Sequence, residues 1–161
     1  MYQWVVLGFL LSVTLIPSFA IGVATRPSIE GWYQHLRKPI WTPPGWLFGP
    51  VWSVLYISMS VACWLVWKEN PEAQLCFGLF WLQLLLNHAW SLLFFGLKRP
   101  RLAFLELVVL WLAIAGTTVA FAFQSLPAAK LMLPYLAWVS FAGALNYRIW
   151  RDNEVSGDGS P

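Results

Sequence analysis

The chain is 161 residues long, 59% hydrophobic and only 11% charged, with a mean hydropathy of +0.62. Soluble domains carry roughly a quarter charged residues, so a soluble globular protein is excluded. The net charge of +3 is spread over loops, and no basic run suits nucleic acid.

Runs of about 20 apolar residues cross a bilayer core as helix. Five are readable, over about 3–24, 46–67, 74–96, 103–123 and 131–150. The expected fold is an all-α membrane protein, a single bundle of five transmembrane helices over 1–151 with a partly helical, Trp/Pro-rich first loop. Residues 152–161 read as a polar, disordered tail. No Lys or Arg precedes the first run, and Arg26, Arg37 and Lys38 follow it. That is the wrong flank for a cleaved signal peptide, despite Ser18-Phe19-Ala20, so the run reads as a retained helix.

After the first span, Ser28 can cap a short interfacial helix ending near Arg37. The segment from Trp32 to Tyr56, WYQHLRKPIWTPPGWLFGPVWSVLY, crowds rings and prolines around Arg37-Lys38. Proline disfavours helix in the residue before it, so Lys38-Pro39 and Thr42-Pro43-Pro44 are extended or turning. Two readings stand. The rings form an aromatic belt at the membrane boundary, or they form a lid over a pocket for a flat apolar ligand.

Polar side chains at membrane depth are few, and each is a functional candidate. On the second span Phe48, Trp52 and Tyr56 share a face, and on the third Asn87, Trp90 and Phe94 do. On the fifth, Trp138, Ala142 and Leu145 follow the same rule. A cavity among these helices would be ring-lined, with Asn87, Tyr56 and indole N–H groups as sparse polar points. Ordinary helix packing explains the same stripes, with Asn87 bonding a neighbouring helix. His88 points away from Asn87, because a helix turns about 100° per residue. A hydrogen bond between helices suits it better than haem ligation.

Glu106, one turn into the fourth span, is expected to reach the interface and pair with Arg101 or Lys98. Gly116 and Ala120 form a small-xxx-small pair. Cys63 and Cys76 fall at membrane depth and read as inert core residues rather than a disulfide or metal pair. No nucleophile–base pair, carboxylate pair or metal cluster is spaced for catalysis, so no efficient enzyme and no required cofactor are expected.

Short connections at 68–72, 98–101 and 125–127 predict that sequential helices are antiparallel neighbours. Arg26, Arg37, Lys38, Lys98, Arg99, Arg101, Arg148 and Arg151 fall on one side and only Lys68 and Lys130 on the other. By the positive-inside rule the N-terminus lies outside and the C-terminus in the cytosol.

The pattern W-Y-x-x-L-x-K-P-x-W-x-P-P-x-W-x-F-x-x-V-W-x-x-L-Y at Trp32–Tyr56 resembles the translocator protein family, also called tryptophan-rich sensory proteins or peripheral-type benzodiazepine receptors (TspO/MBR). The resemblance continues in Asn87-x-x-Trp90 with Phe94-Phe95-Gly96, in Pro134-Tyr135-Leu136-Ala137-Trp138, and from Leu145-Asn146-Tyr147 to Asn153. It implies a pocket for tetrapyrroles (protoporphyrin IX or haem) and benzodiazepine-site drugs, lined by Trp41, Trp52, Tyr56, Asn87, Trp90, Trp138, Ala142 and Leu145. Phe48 and Phe94 join them through the shared stripes. It implies that Trp52 and Trp138 take part in slow light-driven porphyrin breakdown. It also implies sterol contact through Leu145, Tyr147 and Arg151, a pattern that alone is weak. Family members form homodimers, usually through the third span, where Cys76, Gly78 and Ala89 are the small residues. They reside in bacterial or mitochondrial outer membranes. The roles left open are sensor, chaperone or translocator, a slow porphyrin-degrading enzyme, and a scaffold without a small ligand.

Overall fold

A computed structural model describes residues 2–154. Six α-helices carry the described residues: α1 (Tyr2–Glu30), α2 (Trp32–His35), α3 (Gly45–Glu69), α4 (Gln74–Ser91), α5 (Pro100–Gln124) and α6 (Leu126–Glu154). A π-helical turn, Leu92–Gly96, extends α4. With that turn included, five helices are long and apolar enough to cross a bilayer, which matches the five expected spans.

The apolar runs mark where each helix meets lipid, and the helices themselves run further. α1 continues through Pro17 and Pro27 to Glu30, so Ser28 lies inside it and caps nothing. The short helix that follows is only Trp32–His35, with Gly31 at its N-cap and no side-chain cap. α6 starts at Leu126, holds Pro134 inside, and ends at Glu154. Asp152, Asn153 and Glu154 are therefore helical rather than part of a disordered tail, and the rest of that tail lies outside the described residues.

Around the bundle, α5 packs between α4 and α6, α3 packs against α6 and α1, and α1 closes the ring against α4 and its π turn. The second and third spans, α3 and α4, are consecutive yet meet only lightly. The expectation that each helix neighbours its predecessor fails there, because α1 takes the place beside α3.

Short polar contacts stitch the helices where lipid offers no hydrophobic drive for association. Thr14 Oγ1 and Ser60 Oγ lie 2.8 Å apart between α1 and α3. Ser58 Oγ donates to Leu131 O (2.9 Å) from α3 to α6. Trp111 Nε1 donates to Ser140 Oγ (2.8 Å) from α5 to α6.

The end formed by the first loop, the α4–α5 link and the close of α6 gathers eight of the ten basic residues. Facing them there among the described residues are Glu30, Asp152 and Glu154, an excess of five positive charges. At the opposite end Lys68 and Lys130 balance Glu69 and Glu72.

Candidate functional site

Asn87 sits inside the bundle, only 1% exposed. Tyr56 Oη donates to its Oδ1 across 2.6 Å, and its Nδ2 donates to Tyr135 Oη across 3.1 Å. One amide thus ties α3, α4 and α6 together. Tyr135 is fully buried and Tyr56 nearly so.

Rings from the same three helices surround this amide. Trp52 stacks on Tyr56 with centroids 5.6 Å apart, meets Tyr135 edge-on at 6.1 Å and lies 6.5 Å from Trp90. Trp90 stacks on Phe94 at 5.5 Å and donates its indole N–H to Asn146 Oδ1 (3.1 Å). Asn146 in turn donates to Pro100 O (2.8 Å), which anchors the start of α5.

Past Ser91 the helix widens into the π turn, where Leu97 N bonds Leu92 O at 2.7 Å, five residues back. Such turns often sit at functional sites, and they advance the register by about one residue. Here the shift brings both Phe94 and Phe95 to the inner face. Trp90 touches both rings (5.5 and 6.0 Å), and Tyr33 of α2 meets both edge-on (6.1 and 5.6 Å). Burial pushes the Tyr33 phenol up to about 12, so it stays neutral at any physiological pH.

A second row of rings lies along α6 under the first loop. Phe48 meets Trp138 edge-on at 5.9 Å, Trp138 lies 5.6 Å from Phe141, and Trp41 meets Phe141 at 5.6 Å. The Trp138 indole N–H is buried and has no hydrogen-bond partner among the described residues. Ala142 and Leu145 are buried on the same stripe. Not every apolar side chain here turns inward: Ile40 in the loop and Trp46 at the start of α3 are exposed, as a membrane belt would have them, and Trp41 is 45% exposed. The first loop thus has apolar side chains toward the outside and one ring, Trp41, against Phe141 of α6.

The loop is strapped to the bundle by its backbone. Asn153 accepts from Arg37 N and donates to Arg37 O, each at 3.0 Å. Lys38 Nζ donates to Tyr33 O (2.8 Å) and Gln34 O (3.3 Å), closing the C-terminus of α2, and sits 4.4 Å over the Tyr33 ring. Partial burial lowers the pKa of that amine.

The ten expected pocket residues fall along these two rows; the rings and Asn87 among them make these contacts, and Ala142 and Leu145 are buried on the α6 stripe. Tyr135, Phe141 and Asn146 belong to the same site and were not singled out from the sequence. Their signal was present: Tyr135 is at i−3 and i−7 from Trp138 and Ala142, and Asn146 is a second amide at membrane depth.

Other candidates fall elsewhere. His88 Nε2 lies 2.9 Å from Ser18 Oγ, an α4–α1 hydrogen bond of the kind expected of it. Leu145 faces the interior while Tyr147 and Arg151 face outward, so the three sterol-pattern residues do not share one surface. Cys76 packs inward, its Sγ 3.5 Å from Ala120 O, and Cys63 is also buried. Gly78 and Gly116 have open space where a side chain would stand. Glu106 corrects an expectation. Its carboxylate oxygens are buried without a partner among the described residues, and Arg101 faces Glu154 instead. α5 begins at Pro100, which sets Glu106 about 9 Å inside the helix, deeper than the expected span start placed it.

Residues 9–151 match the TspO/MBR family. The chain belongs to that family. It is 43% identical over 151 residues to the human (Homo sapiens) translocator protein, covering 89% of each chain. It is 42% identical over 153 residues to the translocator protein of Bos taurus, covering 91% of this chain and 90% of that one. A bacterial relative, the tryptophan-rich protein TspO of Chlorobaculum tepidum, is 41% identical over 155 residues, 94% of this chain and 98% of its own. Together with five membrane-length apolar helices, this makes the chain an integral membrane protein.

Proposed function

We propose that this protein binds a flat, largely apolar tetrapyrrole between α3, α4 and α6, beneath the first loop, as a membrane sensor, chaperone or translocator. The observation that carries the reading is the convergence of Trp52, Tyr56, Trp90 and Tyr135 around the buried amide of Asn87, with Trp138 in the neighbouring row of rings along α6. Stacked and edge-on rings are the surface that a macrocycle replaces at small loss, because each ring pair exchanges for a ring–ligand pair. Asn87 then supplies a donor and an acceptor to orient the guest. The names of the relatives, translocator protein and tryptophan-rich protein TspO, support a role in handling a ligand at the membrane.

The experiment is titration of protoporphyrin IX into detergent-solubilised protein, following tryptophan quenching in wild type, Asn87→Ala and Trp138→Phe. Saturable micromolar binding, weakened about tenfold by the substitutions, is expected for a site on these side chains. Non-saturable quenching, identical in all three proteins, would reduce the rings to packing and leave a membrane scaffold. Light- and oxygen-dependent loss of the porphyrin spectrum, abolished by Phe at positions 52 and 138, would add slow photo-oxidation. Flux into sealed vesicles would separate a translocator from a sensor.

A further inference from the structure

At the basic end a groove of about 760 Å³ opens between α2, the start of α5 and the close of α6. Arg99 and Arg101 line its head, Trp32 and Trp150 its walls, and Leu102 and Leu105 its lower flank. It shares none of the ten expected pocket residues, and its Trp32 wall meets Phe94 of the ring site edge-on at 5.8 Å.

The side chains grade from charged to apolar along α5. The Arg99 side chain makes no hydrogen bond or ion pair among the described residues, and the first turn of α5 has no side-chain cap. The Arg101 guanidinium reaches Glu154 only at 4.0 Å, with both side chains well exposed, a pair worth little. Arg101 also sits 5.9 Å over the Trp150 ring, whose indole N–H is buried without an acceptor. The Asn153 amide, also at the rim, is already spent on Arg37. Further along, about 4.5 and 9 Å past Arg99 at the helical rise, Leu102 and Leu105 are 42% and 54% exposed and face where lipid tails run.

We infer that this groove is a binding site for one anionic phospholipid, its phosphate held by Arg99 and Arg101 and its upper acyl chain lying along Leu102 and Leu105. Charge complementarity selects the occupant. This end carries an excess of five positive charges among the described residues, while the far end is balanced. Guanidinium forks match phosphate oxygens, and the indole walls suit the headgroup level. A soluble anion would use the arginines and leave the leucines uncovered; a phospholipid uses both.

The test is native mass spectrometry of the full chain released from mixed micelles of phosphatidylglycerol and phosphatidylcholine. Wild type is expected to retain one phosphatidylglycerol per chain in preference to phosphatidylcholine. The variants are Arg99→Gln, Arg99→Gln with Arg101→Gln, and Lys68→Gln with Lys130→Gln at the far end. The preference is expected to fall about fivefold for each arginine removed, the attraction of one basic side chain for an anionic leaflet. It is expected to survive the far-end pair unchanged. No preference in wild type, or equal loss from the far-end pair, would overturn the site in favour of general charge attraction. Displacement of the lipid by millimolar glycerol 3-phosphate would overturn the phospholipid as occupant and leave a site for phosphate alone. Arg99→Gln breaks no contact among the described residues, so its effect reads the site and not the fold.

Discussion

The hydroxyl of Tyr56 and the amide oxygen of Asn87 lie 2.6 Å apart in the middle of the bundle, with Tyr135 on the other side of the same amide. Three helices that are not all sequence neighbours are registered by that one side chain. The same side chain stands at the centre of the ring cluster, so in the proposed site stability and recognition would share a residue. Each tyrosine takes only half of what the amide offers on its side, so a second N–H and a second lone pair of Asn87 remain for a guest.

Asn87→Ala leaves two buried hydroxyls without their partner. The expected cost is about 1–2 kcal/mol, since interhelical hydrogen bonds in membranes average below 1 kcal/mol and buried unpaired groups add to the loss. Unfolding in mild detergent with added dodecyl sulfate measures it. A double-mutant cycle with Tyr56→Phe should give a coupling of roughly 0.6 kcal/mol. Zero coupling would mean that the two groups do not meet in the folded protein.

Glycine positions separate packed from open helix faces. A Cβ at Gly143 would stand 3.0 Å from Leu107 Cδ2, whereas nothing lies within 4 Å of one at Gly78. Gly143→Ala is expected to be less favourable than Gly78→Ala, because Leu107 of α5 must give way to the added methyl on α6 and offsets the gain in helix propensity. Gly78→Ala should be neutral or stabilising by up to about 1 kcal/mol, from helix propensity alone. The same unfolding assay ranks them, and the reverse order would refute this α5–α6 packing.

The strap between Asn153 and Arg37 holds the first loop on the bundle. Asn153→Ala removes both bonds, each worth about 1 kcal/mol. Hydrogen exchange at the Arg37 amide should then quicken by roughly tenfold or more, with α3 unaffected. Unchanged exchange would show that Trp41 and Phe141 hold the loop without the strap.

Orientation is testable with single thiols, because Cys63 and Cys76 are buried. Ile40→Cys stands at the fully exposed tip of the first loop, and Glu72→Cys in the opposite α3–α4 link. With the basic end in the cytosol, an impermeant maleimide added to intact cells should label position 72 and spare position 40. Labelling of position 40 alone would invert the topology.

Much of this was legible in the sequence. Five spans could be counted because each must supply an apolar run as long as the bilayer is thick, and the stripes Phe48/Trp52/Tyr56 and Asn87/Trp90/Phe94 follow from helical spacing. Helix ends were less legible. Hydropathy registers only the lipid-facing stretch, so the parts of α1 past residue 24 and of α6 past residue 150 were missed. Phe95 was hidden by the π turn, which no 3.6-residue periodicity reveals. Tyr135 was overlooked because its value lies in what it bonds, an amide 48 residues away. Glu106 was misplaced for want of three residues at the start of α5.

The central claim is that ligand meets the inner rings. The most direct measurement is photo-cross-linking of protoporphyrin IX to the purified protein at saturation, with adducts located by peptide mass spectrometry. Adducts confined to Trp52, Trp90 and Trp138, and lost on competition with excess unlabelled zinc protoporphyrin, are what the ring site predicts. Adducts spread over the lipid-facing Trp4 and Trp46, in proportion to exposure and insensitive to competitor, would contradict it.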